Sequence, residues 1–143
     1  MLIRALQRNA RLTNDELAEV AHRSPTSCLR RVRQLEQAGV IERYTAVINQ
    51  QALGLHLNVF VTITLESQAE PALRRFEREI SSMPEVMEAY LMTGTADYLL
   101  RIVAQDVEDL ERIHSIRLTR LAGVARVNSS IALRQVARRD ELP

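Results

Sequence analysis

Two helix-start signals in close succession, Thr13 and Ser24-Pro25, constrain this chain more than any other feature in it. Thr13 followed by Glu16 has the spacing of a capping box: the hydroxyl accepts the amide three residues on, and the carboxylate reaches back to the cap's own N–H. Leu17, Val20 and Ala21 then supply an apolar stripe at helical spacing. Ser24 is a second N-cap, and Pro25 sits at the first helical position, where a missing N–H costs nothing. Gly39 closes this helix because it enters the left-handed conformation without steric cost. Met1 to Arg8 gives a further short helical face, Leu2, Ile3 and Leu6, expected to pack behind the pair. The stretch 11–41 therefore reads as two short helices joined by a tight turn and backed by a third.

The helix after Ser24 is expected to have two faces. At roughly 100° per residue, Cys28, Leu29, Val32, Leu35 and Glu36 point one way, and Thr26, Ser27, Arg30, Arg33, Gln34 and Gln37 the other, with Arg31 on the flank. Small hydroxyl residues in the first turn let a backbone approach, and arginines further along can be bidentate to guanine, so the outer face suits a DNA major groove. Ser24, Thr26, Ser27, Arg30, Arg31, Arg33 and Gln34 are the candidate DNA contacts. An arginine-coated solvent face on an ordinary amphipathic helix has the same spacing, and the residues alone leave both readings open.

Beyond Gly39, Val40 to Ile48 is β-rich and roughly alternating, which predicts one or two strands beside the helices, as in a winged helix. Arg43 in this stretch is more simply solvated than bound to phosphate. Asn49 to Leu55, containing Gly54, reads as a linker. Leu57–Leu65 is a strand by its β-branched content. Glu70–Ser82 is a helix with Leu73, Phe76 and Ile80 along one side. Val86–Thr93 and Asp97–Val103 are strands around the turn Gly94-Thr95-Ala96. Asp106 opens a helix carrying Val107, Leu110, Ile113 and Leu121 and closed by Gly123. A fourth strand lies within Val124–Val136.

The fold class is α+β: a winged helix-turn-helix domain over 1–48, a linker over 49–56, and a β-α-β-β-α-β domain over 57–143, with a four-stranded antiparallel sheet and both helices on one face. Val59, Val61, Ile63, Leu99 and Ile131 are expected to leave apolar surface on both sides of that sheet. An uncovered patch of several hundred Å² usually marks an interface, so copies are expected to associate sheet to sheet.

Composition narrows the function classes. The chain is 46% apolar but only 3% aromatic, so aliphatic side chains must fill the cores. Residues 1–48 carry eight Arg against five acids and the remainder eleven against thirteen, a basic first third joined to a mildly acidic body. No apolar run approaches the roughly 18 residues of a membrane span. The single cysteine, Cys28, forms no disulfide framework and fits a reducing, cytoplasmic setting. His22, His56 and His114 have no acid or cysteine at metal or triad spacing. Asp106, Glu108, Asp109 and Glu111 complement a helix N-terminus. No catalytic residue, metal ligand or cofactor is therefore assigned, and an enzyme is not expected.

Four passages together resemble the Lrp/AsnC (feast/famine) family of transcriptional regulators. RLTNDELAEVAHRSPTSCLRRVRQLEQAGVI is similar to the family's helix-turn-helix signature, VFVTITLE to the first strand of its RAM-type sensor domain, and LMTGTADYLLRI to the glycine loop and strand of its effector pocket. LAGVARVNSSIAL follows in the family's order near the end. The resemblance implies a DNA-binding head and a ferredoxin-like, ligand-sensing domain. It implies dimers that pair through the sensor sheets and assemble into tetramers or octamers, with an amino-acid effector held between subunits. Carried over by position, Thr26, Ser27, Arg30, Arg31 and Arg33 would contact double-stranded DNA. Thr93, Gly94, Thr95, Asp97 and Tyr98 would line the effector pocket, completed by Ser129 and Ser130 of a neighbouring subunit.

In such a pocket Asp97 could pair with an ammonium and the amides beside Gly94 could hold a carboxylate. From spacing alone the same residues make a hairpin turn in which Gly94 supplies positive φ. Thr95 stands where many members carry an acid, which removes one partner for an ammonium. The acidic leader that usually precedes the first helix is also missing, with Met1 aligning inside that helix. The expected function is a nucleoid-associated, sequence-specific regulator tuned by an amino acid; the alternative is a ligand-independent architectural protein that wraps DNA.

Overall fold

The helix-start signals act where the sequence places them. The computed structural model describes residues Met1–Pro143. By contact it divides into two units, Met1–Ile48 with Val136–Pro143, and Asn49–Gln135. In the first, α1 (Leu2–Arg8), α2 (Asn14–Ala21) and α3 (Pro25–Gln37) enclose a small aliphatic core. Leu2, Leu17, Ala18 and Cys28 are buried there, with Ala5, Leu6, Leu12, Ala21 and Val32 packed around them. Two expected inward residues lie outside it: Ile3 and Val20 are 43% and 45% exposed. The buried stripe of α2 is centred on Leu17 and Ala18, which rotates Val20 to its edge.

The expected wing strands are absent. Val40 to Ile48 forms no strand, and Val40, Tyr44, Val47 and Ile48 are exposed. An alternating pattern favours extended backbone, but a strand exists only when a neighbour accepts and donates its ladder bonds, and this stretch has none. The end of the chain also departs from expectation, since Val136–Pro143 belongs with the helical unit. There Glu141 pairs with Arg4 at 3.2 Å and Arg8 at 2.9 Å, and the Leu142 amide donates to Gln7 Oε1 at 2.7 Å. The segment expected to be a linker is structured and groups with the second unit: Gln51–Leu53 make one 3₁₀ turn ended by Gly54 at φ 76°.

The second unit follows β1 (Leu57–Leu65), α4 (Glu70–Ser81), β2 (Val86–Leu91), β3 (Tyr98–Ala104), α5 (Val107–Arg112) and β4 (Val124–Ile131). The strands pair antiparallel in the order β2-β3-β1-β4. Period-two alternation puts Val59, Val61, Ile63 and Leu65 of β1 on one face, beside Tyr98, Leu100, Ile102 and Ala104 of β3. Phe76 and Ile80 from α4, and Leu110, Ile113 and Leu118 from the second helical segment, close the core over them. Fully burying each large aliphatic or aromatic side chain contributes about 1.5–3 kcal/mol.

The second helical segment is not one α-helix to Gly123 as expected. After α5 it widens into a π turn, Ile113–Arg117, then tightens into a 3₁₀ turn, Leu118–Arg120. At roughly 100° per residue Ile113 and Leu118 would point about 140° apart on a regular helix; the wide turn brings both inward, and both are fully buried. Val107, expected on the inner side, is 64% exposed.

Register also corrects the expected apolar far face. Val59, Val61, Ile63 and Ile131 all lie on the helix-covered side, because Val59 pairs with Ile131 and Val61 with Ser129. Of the five residues named, only Leu99, paired with Thr62, faces the open side. By register that side carries Phe60, Tyr90, Leu99 and Val103 among Asn58, Thr62, Thr64, Arg126, Asn128, Ser130 and the Arg101–Glu88 ion pair. It is a mixed surface, not a broad apolar patch.

Candidate DNA interface and sensor loop

The outer face of α3 is built by its caps. The Ser24 hydroxyl accepts the Ser27 amide at 3.2 Å, and Pro25 begins the helix. Past its end Gly39 lies at φ 70°, and the amides of Val40 and Ile41 both donate to the Leu35 carbonyl. Cys28, fully buried, and Leu35 anchor the inner side. The preceding α2 is held by the full capping box: the Thr13 amide donates to Glu16 Oε2 at 2.7 Å and the Glu16 amide to the Thr13 hydroxyl at 3.2 Å. The Thr13 amide first, and then the Thr13 hydroxyl donating to the same Oε2 at 3.0 Å, hold the Glu16 carboxyl below its ordinary value. Between the helices His22 adopts a left-handed conformation, φ 52°. Nothing local in the sequence signals this, although His is among the side chains that tolerate it.

With the scaffold set, Ser24, Thr26, Arg30, Arg31, Arg33 and Gln34 are exposed and Ser27 half-buried. None of the three arginines pairs with a carboxylate; Arg31 only donates to Gln34 Oε1 at 3.4 Å. The one acid on α3, Glu36, is occupied by the Tyr44 hydroxyl at 2.8 Å. Burial first, and then that carboxylate, raise the Tyr44 phenol above its ordinary value. The face thus presents uncompensated positive charge beside small hydroxyls, which is what a polyanion requires.

The sensor-loop residues separate in three directions. Thr93, Gly94 and Thr95 form an exposed tip, with Gly94 at φ 109°. Asp97 turns inward: its Oδ2 accepts the Leu65 amide at 2.7 Å and the Gln68 side-chain amide at 3.2 Å. Its own amide donates to the Ile63 carbonyl at 2.9 Å, and its carbonyl accepts the Met92 amide at 2.8 Å. Tyr98 is not at the tip. It is 2% exposed, its ring 4.5 Å from Phe76, its hydroxyl donating to Glu77 Oε1 at 2.8 Å. Ser129 and Ser130 point to opposite faces, since they pair with Val61 and Phe60 respectively. Ser129 meets His114 Nδ1 at 3.4 Å under the helices, and Ser130 lies on the open side.

One chain therefore brings together the first three loop residues and not the other four. Leu65, Gln68 and Glu77, which hold Asp97 and Tyr98, carry no short-range signal for that role. No group of His, Cys, Asp and Glu side chains is arranged to hold a metal ion, and no helix is long and apolar enough to cross a membrane.

A helix-turn-helix with an open basic face, joined to a four-stranded α+β domain with a glycine loop, defines a one-chain transcription regulator with a sensor domain. The winged helix-turn-helix DNA-binding family model matches residues 1–42, and the Lrp/AsnC ligand binding domain model matches 58–142. The chain belongs to the Lrp/AsnC family. It is similar to the Bkd operon transcriptional regulator of Pseudomonas aeruginosa, 39% identical over 99% of this chain and 93% of that one. It is also similar to the leucine-responsive regulatory protein of Escherichia coli K12, 34% identical over 99% and 86%. Among solved structures, a transcriptional regulator of Neisseria meningitidis in complex with L-Met superposes with a TM-score of 0.94 at 33% identity, covering 99% of this chain and 92% of that one. The chain is a transcriptional regulator of the Lrp/AsnC type with a ligand-binding domain, and its relatives are of a non-enzymatic class.

Proposed function

We propose that the protein is a cytoplasmic, nucleoid-associated regulator that binds specific double-stranded sites through α3 as a dimer or larger assembly, with an amino acid as effector. The observation that carries this reading is the exposed, carboxylate-free face holding Thr26, Arg30, Arg31, Arg33 and Gln34. Two such helices in a dimer would enter successive major grooves, so sites would be pseudo-palindromic. The L-Met complex of the Neisseria meningitidis regulator supports an amino-acid effector here. Such an effector retunes DNA binding only through a difference in affinity between two assemblies. Arg30→Ala and Arg33→Ala should each weaken binding to duplexes selected by the wild-type protein while leaving the sedimentation mass unchanged; normal binding by both variants removes α3 as the reader.

Asp97 favours a second reading, a ligand-independent architectural protein. Its carboxylate is already engaged by Leu65 and Gln68, and Thr95 offers no replacement charge for an ammonium. A thermal-shift screen of the twenty amino acids separates the two. A stabilising amino acid supports the regulator; none, together with wrapping of mixed sequences, supports the architectural protein.

A further inference from the structure

Glu85 stands between α4 and β2, and its carbonyl accepts the Val103 amide at 3.0 Å, which fixes its backbone near the end of β3. Its Oε1 faces two arginines: Arg117 Nη1 lies 2.8 Å away and Arg112 Nη2 3.6 Å away. Its Oε2 is buried without a partner, so the polar support of this carboxylate comes through Oε1. Arg112 is held separately by Asp109 at 2.7 Å. The two arginines are five residues apart in the chain. On a regular α-helix they would diverge by about 140°, and one fixed carboxylate could not collect both. A turn closed by i→i+5 bonds brings such residues toward one face. That is the turn found between them, Ile113–Arg117.

One bond shows how near the other register lies. The Leu118 amide donates to the Ile113 carbonyl, five residues back, and also to the His114 carbonyl, four back. The first is the wide-turn acceptor and the second the α-helical one, so passing to His114 alone closes the turn without first freeing the amide. The same turn carries His114, whose Nδ1 meets the Ser129 hydroxyl of β4 at 3.4 Å. In the order β2-β3-β1-β4 the strands next to Glu85 and Ser129 are the two outer ones. Contacts therefore run from one edge of the sheet to the other through Glu85, Arg117, the turn, His114 and Ser129. We propose that this turn is a two-register switch: Glu85 holds the wide form by gripping Arg112 and Arg117, release of that grip closes it to an α turn, and His114 carries the change to β4. Coupling between distant points requires an element with two discrete arrangements that both points bias, and the shared Leu118 bond supplies it. The switch goes beyond the DNA-binding reading and does not depend on it.

The test uses the full chain and two readouts. Crystal structures report the acceptor of the Leu118 amide, and hydrogen exchange in the peptide spanning β4 reports the far end. Wild type is compared with Glu85→Gln, Arg117→Met, His114→Ala and the Glu85→Gln/His114→Ala double variant, with melting curves to check folding. Glu85→Gln and Arg117→Met should each leave Leu118 bonded to His114 alone and lower the protection of β4 by about tenfold, as loss of a local tie does. His114→Ala should lower β4 protection by the same factor with the wide turn retained. The double variant should be no worse than either single one, because changes along one chain of contacts do not add. Should Glu85→Gln not fold, Arg117→Met takes its place in the double variant. A Leu118 amide still bonded to Ile113 in the folded Glu85 and Arg117 variants overturns the grip. Losses that add in the double variant, or β4 protection unchanged where the turn has closed, overturn the route through His114.

Discussion

The Tyr98 hydroxyl donates to Glu77 Oε1 at 2.8 Å, fastening the first residue of β3 to the middle of α4. The ring lies against Phe76 in a tilted pair, an arrangement worth about 0.5–1.5 kcal/mol beyond area burial. Burial first, then Glu77, push this phenol well above its ordinary value near 10. Below about pH 10 both folded and unfolded chains keep the proton, so the contribution is fully present there. Above it the unfolded chain ionises more readily, and stability falls until the raised folded value is reached. Alkaline titration of tyrosinate absorbance should therefore show one tyrosine ionising only together with unfolding, and Tyr98→Phe should abolish that step. The same variant should cost about 1 kcal/mol in urea unfolding at neutral pH. A tyrosine ionisation still coupled to unfolding in Tyr98→Phe would assign the effect elsewhere.

Asp97, the residue just before Tyr98, fastens the loop in the opposite direction, to the end of β1. Removing its acceptor leaves the part-buried Leu65 amide without a partner, at a cost of about 1–3 kcal/mol. Asp97→Ala should lower the unfolding free energy measured in urea by that amount, and Asp97→Asn, which keeps a carbonyl acceptor, by less. Were Asp97 chiefly an ammonium ligand, Asp97→Asn would erase any amino-acid-induced thermal shift while Asp97→Ala left stability untouched.

The capping box makes the helical unit sensitive to acid. Because the Glu16 carboxyl is held below its ordinary value of 4.5, its contribution is present above that pH and fades as pH falls through the lowered value. Asp109 is lowered too, by the Gln105 amide and then Arg112, and gives the same sign in the other unit. A local probe is therefore needed. Hydrogen-exchange protection at the amides of Glu16 and Leu17, taken relative to the intrinsic rate at each pH, should fall on acidification in the wild type, whereas in Glu16→Gln it should be lower from the start and flatter with pH. Parallel pH profiles in the two proteins would remove Glu16 as the titrating group.

What was legible in the sequence is what neighbouring residues decide among themselves. The caps at Thr13, Ser24 and Asp106 and the ends of β1 were readable because each is settled within a few positions. Anything set by a distant partner was not. Val59, Val61 and Ile63 were recognised as strand residues, but the face they share follows from pairing with β3 and β4. The alternation of Val40–Ile48 states a preference that only a neighbouring strand can realise. Asp97 reads from sequence as an ammonium partner or as part of the hairpin turn, because its actual partner amide, at Leu65, lies 32 residues away. The π turn at Ile113–Arg117 answers the sheet beneath it and has no local signal. Glu141 meets α1 across 133 residues.

The sheet's open side decides whether copies pair as proposed. Phe60 and Ile131 are equally exposed, 41% each, yet they face opposite sides, since Phe60 pairs with Ser130 and Ile131 with Val59. They form a matched control. A carboxylate at Phe60 would sit on the open side of the central strand β1, between Ser130 and Arg101, whose guanidinium is already held by Glu88, and a seam there would have to bury it. Leaving such a charge unpaired costs several kcal/mol in a desolvated interface. Phe60→Glu should therefore shift sedimentation mass toward the monomer at concentrations where the wild type remains associated, with melting of the isolated subunit little changed. Ile131→Glu, at the rim of the helix-covered side, should keep the wild-type mass. Dissociation by Ile131→Glu but not by Phe60→Glu would move the seam to the helical side, where Ile131 lies beside β1 and the partner would have to approach the edge of β4.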